Sequence, residues 1–112
     1  MSIKLDNKQW AVVALVVITA LMHIVLGVPF ITDIFGIIFI LNGIGYLALV
    51  AGLYFLPQFA DRRGLIRWIL LGYTAVTIIL YFAFNPPSTY EPVGLINKAV
   101  EIGIVVLLWL EK

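Results

Sequence analysis

The sequence predicts an all-α fold, a membrane-spanning antiparallel four-helix bundle with short loops, forming a single transmembrane domain over residues 1–112. Three observations predict it. Hydrophobic residues make up 63% of the chain and the mean hydropathy is +1.13, far above an ordinary soluble domain. A water-soluble chain of 112 residues encloses too little volume to hide that much Ile, Leu, Val and Phe. The apolar residues fall into four stretches, approximately 9–29, 33–56, 65–84 and 93–110, each near the ~20 residues that a helix needs to cross hydrocarbon. Helix is required there, because an open strand leaves its amides unpaired in lipid and so few residues cannot close a barrel.

Lys4 and Lys8 precede the first span, QWAVVALVVITALMHIVLGVPF. It is longer than a signal core and ends without a small-x-small cleavage pattern, so it is expected to be retained. Pro29, in VPFIT, closes it. The second span, DIFGIIFILNGIGYLALVAGLYF, carries Gly45, Ala48 and Gly52 at helical spacing. Small residues let another backbone approach closely, so these three are the expected helix-packing positions, within the bundle or against another chain.

The middle connection, LPQFADRRG, holds Pro57 and the basic cluster that sets topology, and it also suits anionic headgroups. In the third connection, NPPSTYEP, Pro86 and Pro87 stiffen the loop. Pro92 fits the first position of the last helix, where no intrahelical N–H is needed, and Glu91 complements its positive end. Connections this short make consecutive helices antiparallel.

Orientation follows from Lys and Arg. Lys4, Lys8, Arg62, Arg63, Arg67 and Lys112 fall on one side, and the other side has only Lys98, with Asp33 and Glu91. A multi-pass protein of the cell membrane with cytoplasmic N- and C-termini is therefore expected. Trp10, Trp68 and Trp109 all fall at cytoplasmic span ends in that topology and form an interfacial belt with Tyr54.

A formal net charge of +1 gives no field for nucleic-acid binding. The lack of cysteine excludes disulfides, thiolate chemistry and iron–sulfur clusters, and a single histidine disfavours a metal cage. No phosphate-binding glycine motif is present. No cofactor, no metal and no catalytic residue is expected. The partners expected are membrane lipid and either copies of the chain or a larger membrane complex.

Polar groups in the spans are costly in hydrocarbon unless paired, so they mark where function would lie. His23, Asn42, Tyr81, Asn97, Lys98 and Glu101 all map to the outer half and form the candidate polar pocket. Asn97, Lys98 and Glu101 share a helix face. Lys98 can snorkel outward, but Glu101 is shorter and needs a partner, with Lys98 the nearest and His23 and Asn42 next. Such a cluster fits a polar knot fixing helix register. It also fits a site for a proton, cation or small ligand, or a face for a charged residue of another subunit.

The small multidrug resistance transporters are matched in length only, because the first span here lacks their membrane carboxylate and the charge bias opposes dual topology. The glycine-arginine signature of the small fluoride channels is absent. HIVLGVPF, the glycine-rich second span, LLGYTAVTIILYFAFN and PVGLINKAVEIGIVVLL together resemble small four-span membrane proteins of unknown function found mainly in archaea. That resemblance covers most of the chain and implies a four-helix membrane fold without assigning an activity. Membrane complexes such as the archaeal ammonia monooxygenase are similar in carrying extra subunits of this size. The function expected is a non-catalytic structural or accessory subunit. The alternative is a small oligomeric carrier or channel using the pocket around Glu101.

Overall fold

The structure, a computed structural model, describes residues 5–84 and 91–111. Helix α1 spans Asn7–Gly27. Asp6 starts it with a capping box: its side chain accepts from the Gln9 amide at 2.8 Å, and the Gln9 side chain accepts from the Asp6 amide at 3.1 Å. A 3-10 turn, Val28–Phe30, carries Pro29 where its missing N–H does no harm. Asp33 is extended and caps α2 (Ile34–Val50) by accepting from the Phe35 amide at 2.9 Å.

Past α2 the chain widens into a π-helical turn, Ala51–Phe55. The extra residue per turn brings three successive residues, Gly52, Leu53 and Tyr54, to the interior. Only Leu56 is extended before the chain resumes as a 3-10 helix, Pro57–Arg62, continuous with α3 (Arg63–Phe84). The segment expected as a loop is therefore mostly helical, since Pro57 at a first helical position starts a helix as readily as it ends one. Helix α4 spans Pro92–Glu111 with Pro92 at its first position. Pro86 and Pro87 lie outside the described residues, as do Lys4 and Lys112.

Contacts fix the helix directions. Trp10 meets Phe55, and a Cβ on Gly43 or Gly27 would strike the carbonyl of Ala20 or Gly36, so α1 and α2 run oppositely. Asn42 with Thr77, and Gly52 beside Ile66, set α2 against α3. Arg67 with Leu108, and Gly94 beside Tyr81, set α3 against α4. Gln9 with Glu111, and Thr19 with Glu101, set α4 against α1. The result is an up-down-up-down antiparallel bundle in which each helix packs against two others.

Helices α1 and α2 meet backbone to backbone at Gly27 and Gly43, and Gly36 is tightest of all, against the carbonyl of Phe30 in the 3-10 turn. Of the small residues expected to mediate packing, Gly45 lies under the Tyr73 hydroxyl and Gly52 beside Ile66, while Ala48 is exposed. The seam formed where glycines face each other across two helices, a pairing that one helix's own spacing does not reveal.

Polarity is inverted relative to a soluble protein. Thr19, Thr74, Asn97, Lys98 and Glu101 are inside, while Ile, Leu, Val and Phe side chains cover the outside. Four helical segments, Asn7–Phe30, Ile34–Phe55, Pro57–Phe84 and Pro92–Glu111, are long and apolar enough to cross a membrane, with only 11–33% of their most apolar windows buried. Trp10, Trp68 and Trp109 gather at one end of the bundle, about half exposed. Tyr54, expected with them, is instead 2% exposed because the π turn directs it inward.

Candidate functional site

Two polar layers cross the bundle, each centred on a glutamate of α4. The inner one is built around Glu101, nine residues after Pro92 and ten before Glu111, so it lies about 14 Å along the helix, near its middle rather than toward one end. Its side chain is fully buried. Oε1 accepts from Lys98 Nζ at 2.5 Å, an i,i+3 ion pair within α4. Oε2 accepts from the Tyr46 hydroxyl on α2 at 2.7 Å and from the Thr19 hydroxyl on α1 at 3.1 Å.

One carboxyl group thus joins three helices, and all three donors come from this chain. Asn97 Nδ2 extends the layer by donating to Thr19 Oγ1 at 3.0 Å and approaching Met22 Sδ at 3.6 Å. Lys98 is also enclosed, its ammonium 5.0 Å from the centre of the Tyr81 ring. Gly94 makes room for this, since a Cβ there would lie 2.6 Å from the Tyr81 hydroxyl.

His23 and Asn42, expected as further partners of Glu101, are engaged elsewhere. His23 Nδ1 lies 2.8 Å from the Thr19 carbonyl, which only accepts, so that nitrogen carries the proton. The ring packs against Phe39 and Tyr46. His23 therefore borders the layer through Thr19. Asn42 faces α3, donating to Thr77 Oγ1 at 3.3 Å, while its backbone carbonyl accepts from the Tyr73 hydroxyl at 2.7 Å. Its Oδ1 is a buried acceptor with no partner among the described residues. The Tyr73 ring lies edge-on to Tyr46 with centroids 4.8 Å apart, so Tyr73 contacts both the Asn42 backbone and a donor of the glutamate layer.

Thr19 and Tyr46 were missed by sequence reasoning. Each is the single hydroxyl residue of its helix, which is a signal the sequence did carry, and Thr19, four residues before His23, shares its face. The second layer was missed as well. Glu111 accepts from the Tyr54 hydroxyl at 2.7 Å and from Gln9 Nε2 at 2.8 Å, again joining α4 to α2 and α1. Beside it Arg67 donates to the Leu108 carbonyl at 2.7 Å and stacks over Trp68, which meets Trp109 edge-on. Val12, Val16, Val50, Leu53, Leu70, Ile104 and Leu108 form the apolar core between the two layers.

Among the described residues no three His, Asp or Glu side chains converge as a metal-ligand set. An open apolar depression lies at the other end, lined by Leu26, Phe30, Asp33, Phe35, Gly36 and Phe39. Chemically, the Glu101 layer is suited to holding helices in register, since its acceptor oxygens are occupied and closed off from solvent. In comparisons with known proteins, no family model, curated protein or solved structure matches the chain.

Proposed function

We propose that the chain is a non-catalytic multi-pass protein of the cell membrane, with both termini cytoplasmic, acting as a structural or accessory subunit that packs with copies of itself or with a larger membrane complex. The inverted polarity of the bundle supports the membrane setting. Exposed Ile, Leu and Phe cover helices of spanning length, and the buried charges among the described residues, Lys98 and Glu101, are paired. The single observation favouring a structural role is the closure of Glu101. A carboxylate satisfied by Lys98, Tyr46 and Thr19 at 0% exposure is committed to binding α1, α2 and α4 together. A transported ligand would have to displace donors that the chain already supplies.

Extraction from the native membrane in mild detergent, followed by size and mass analysis, tests the reading. A stoichiometric partner or a defined homo-oligomer is the expected result. Proton- or solute-dependent flux in liposomes that disappears in Glu101→Gln, with unchanged thermal stability, would replace this reading with the carrier or channel.

A further inference from the structure

The tryptophan end of the bundle contains both acids and bases, and the structure divides them unequally between internal contacts and the surface. Asp6 is used as the cap of α1, and Glu111 is held by Tyr54 and Gln9. Arg67 is engaged by the Leu108 carbonyl and the Trp68 ring. Arg62 and Arg63 are adjacent and exposed where the 3-10 helix meets α3, and among the described residues they make no hydrogen bond, ion pair or cation–π contact. Asp61 is the one acid beside them. Two guanidiniums therefore remain available at a surface whose other acids are mostly consumed internally.

The surroundings specify the partner. Exposed Phe59, Leu65 and Trp68 adjoin the pair, and Trp10 and Trp109 lie at the same end of the bundle. Indole rings prefer the glycerol and carbonyl level of a bilayer, which puts neighbouring arginine side chains at the level of the phosphates. The described charges at the opposite end, Asp33 and Glu91, are acidic. A guanidinium presents a planar fork that pairs with phosphate oxygens in a bidentate manner.

We propose that Arg62 and Arg63 form a binding surface for the headgroup phosphates of anionic phospholipids at the cytoplasmic face. This rests on the membrane reading above and adds to it the lipid class and the residues that select it. Because the three tryptophans of the chain lie at this end, their fluorescence reports the lipids in contact with it.

The test uses the full chain in vesicles containing either brominated phosphatidylcholine or brominated phosphatidylglycerol, with tryptophan quenching as the readout. At low ionic strength the anionic lipid is expected to quench more strongly, with a relative binding constant on the order of fivefold for each arginine. This preference should shrink with added salt and approach unity in Arg62→Gln/Arg63→Gln, with quenching by the zwitterionic lipid preserved. An unchanged preference in the double variant would overturn the proposal. So would its removal by millimolar inorganic phosphate at constant ionic strength, which assigns the site to a free anion. Equal quenching by both lipids in the wild type overturns the lipid selectivity and leaves the membrane reading standing. No quenching by either lipid overturns the membrane reading itself.

Discussion

Replacing Tyr46 by Phe removes one oxygen atom from the bundle, and the sign of its effect should depend on whether Glu101 is present. In the native chain the hydroxyl donates to Glu101 Oε2 at 2.7 Å, with both residues at 0% exposure. A hydrogen bond to a charged group contributes about 1.5–3 kcal/mol in soluble proteins. Between membrane helices the measured average is about 0.6 and the maximum about 1.7 kcal/mol. Closure of the site to water favours the upper part of the membrane range, so Tyr46→Phe should cost about 1–2 kcal/mol.

In a Lys98→Leu/Glu101→Leu background the same hydroxyl has lost its acceptor and becomes a buried orphan donor. Removing it should then stabilise the bundle by about 0.5–1 kcal/mol, the gain being limited because in a membrane the unfolded reference also leaves such groups only partly satisfied. The coupling energy between the hydroxyl and the pair is thus about 2 kcal/mol. The assay is a double-mutant cycle on unfolding in mixed micelles, with the fraction of denaturing detergent as the perturbant. A cost for Tyr46→Phe that is equal in both backgrounds, within about 0.5 kcal/mol, would refute the view that Glu101 organises the layer.

Three further outcomes are expected. Lys98→Leu alone should cost about 3–5 kcal/mol because it strands a buried carboxylate, and adding Glu101→Leu should restore part of that loss, read from the same unfolding curves. Gly43→Ala should lower thermal stability by about 1–3 kcal/mol, since its Cβ would lie 2.5 Å from the Ala20 carbonyl; Gly72→Ala, with no neighbour within 4 Å, should raise it by roughly 0.5–1 kcal/mol through helix propensity. The chain has no cysteine, so single replacements report topology directly: Arg62→Cys should react with an impermeant thiol reagent only from the cytoplasmic side and Asp33→Cys only from the other, and labelling of both from one side contradicts the spanning topology.

Much of the architecture is legible in the order of residues because solvent preference is a local property. An apolar run of spanning length predicts its own helix and a short connection predicts an antiparallel neighbour, whereas the caps at Asp6 and Asp33 were found in the structure. The Lys98–Glu101 pair is equally local, three residues apart on one face. What joins that pair to the rest of the bundle is not local. Thr19 and Tyr46 are each the single hydroxyl-bearing residue of their helix, yet nothing along α1 or α2 alone shows that the two converge on Glu101. Asn42 shows the reverse: its amide suggested a partner for the glutamate, and the rotation of α2 turned it toward α3 instead.

The sequence by itself determined that the protein is helical, that its four apolar segments alternate in direction, and that one ion pair had to be accommodated within them, because hydrophobicity, chain connectivity and i,i+3 spacing act over short distances. Only the tertiary structure decided which donors satisfy Glu101, why a second layer forms at Glu111, and where two helices touch backbone to backbone at Gly43. Those outcomes depend on the rotation of each helix about its axis and on the π turn at Ala51–Phe55, which the packing of all four helices sets together.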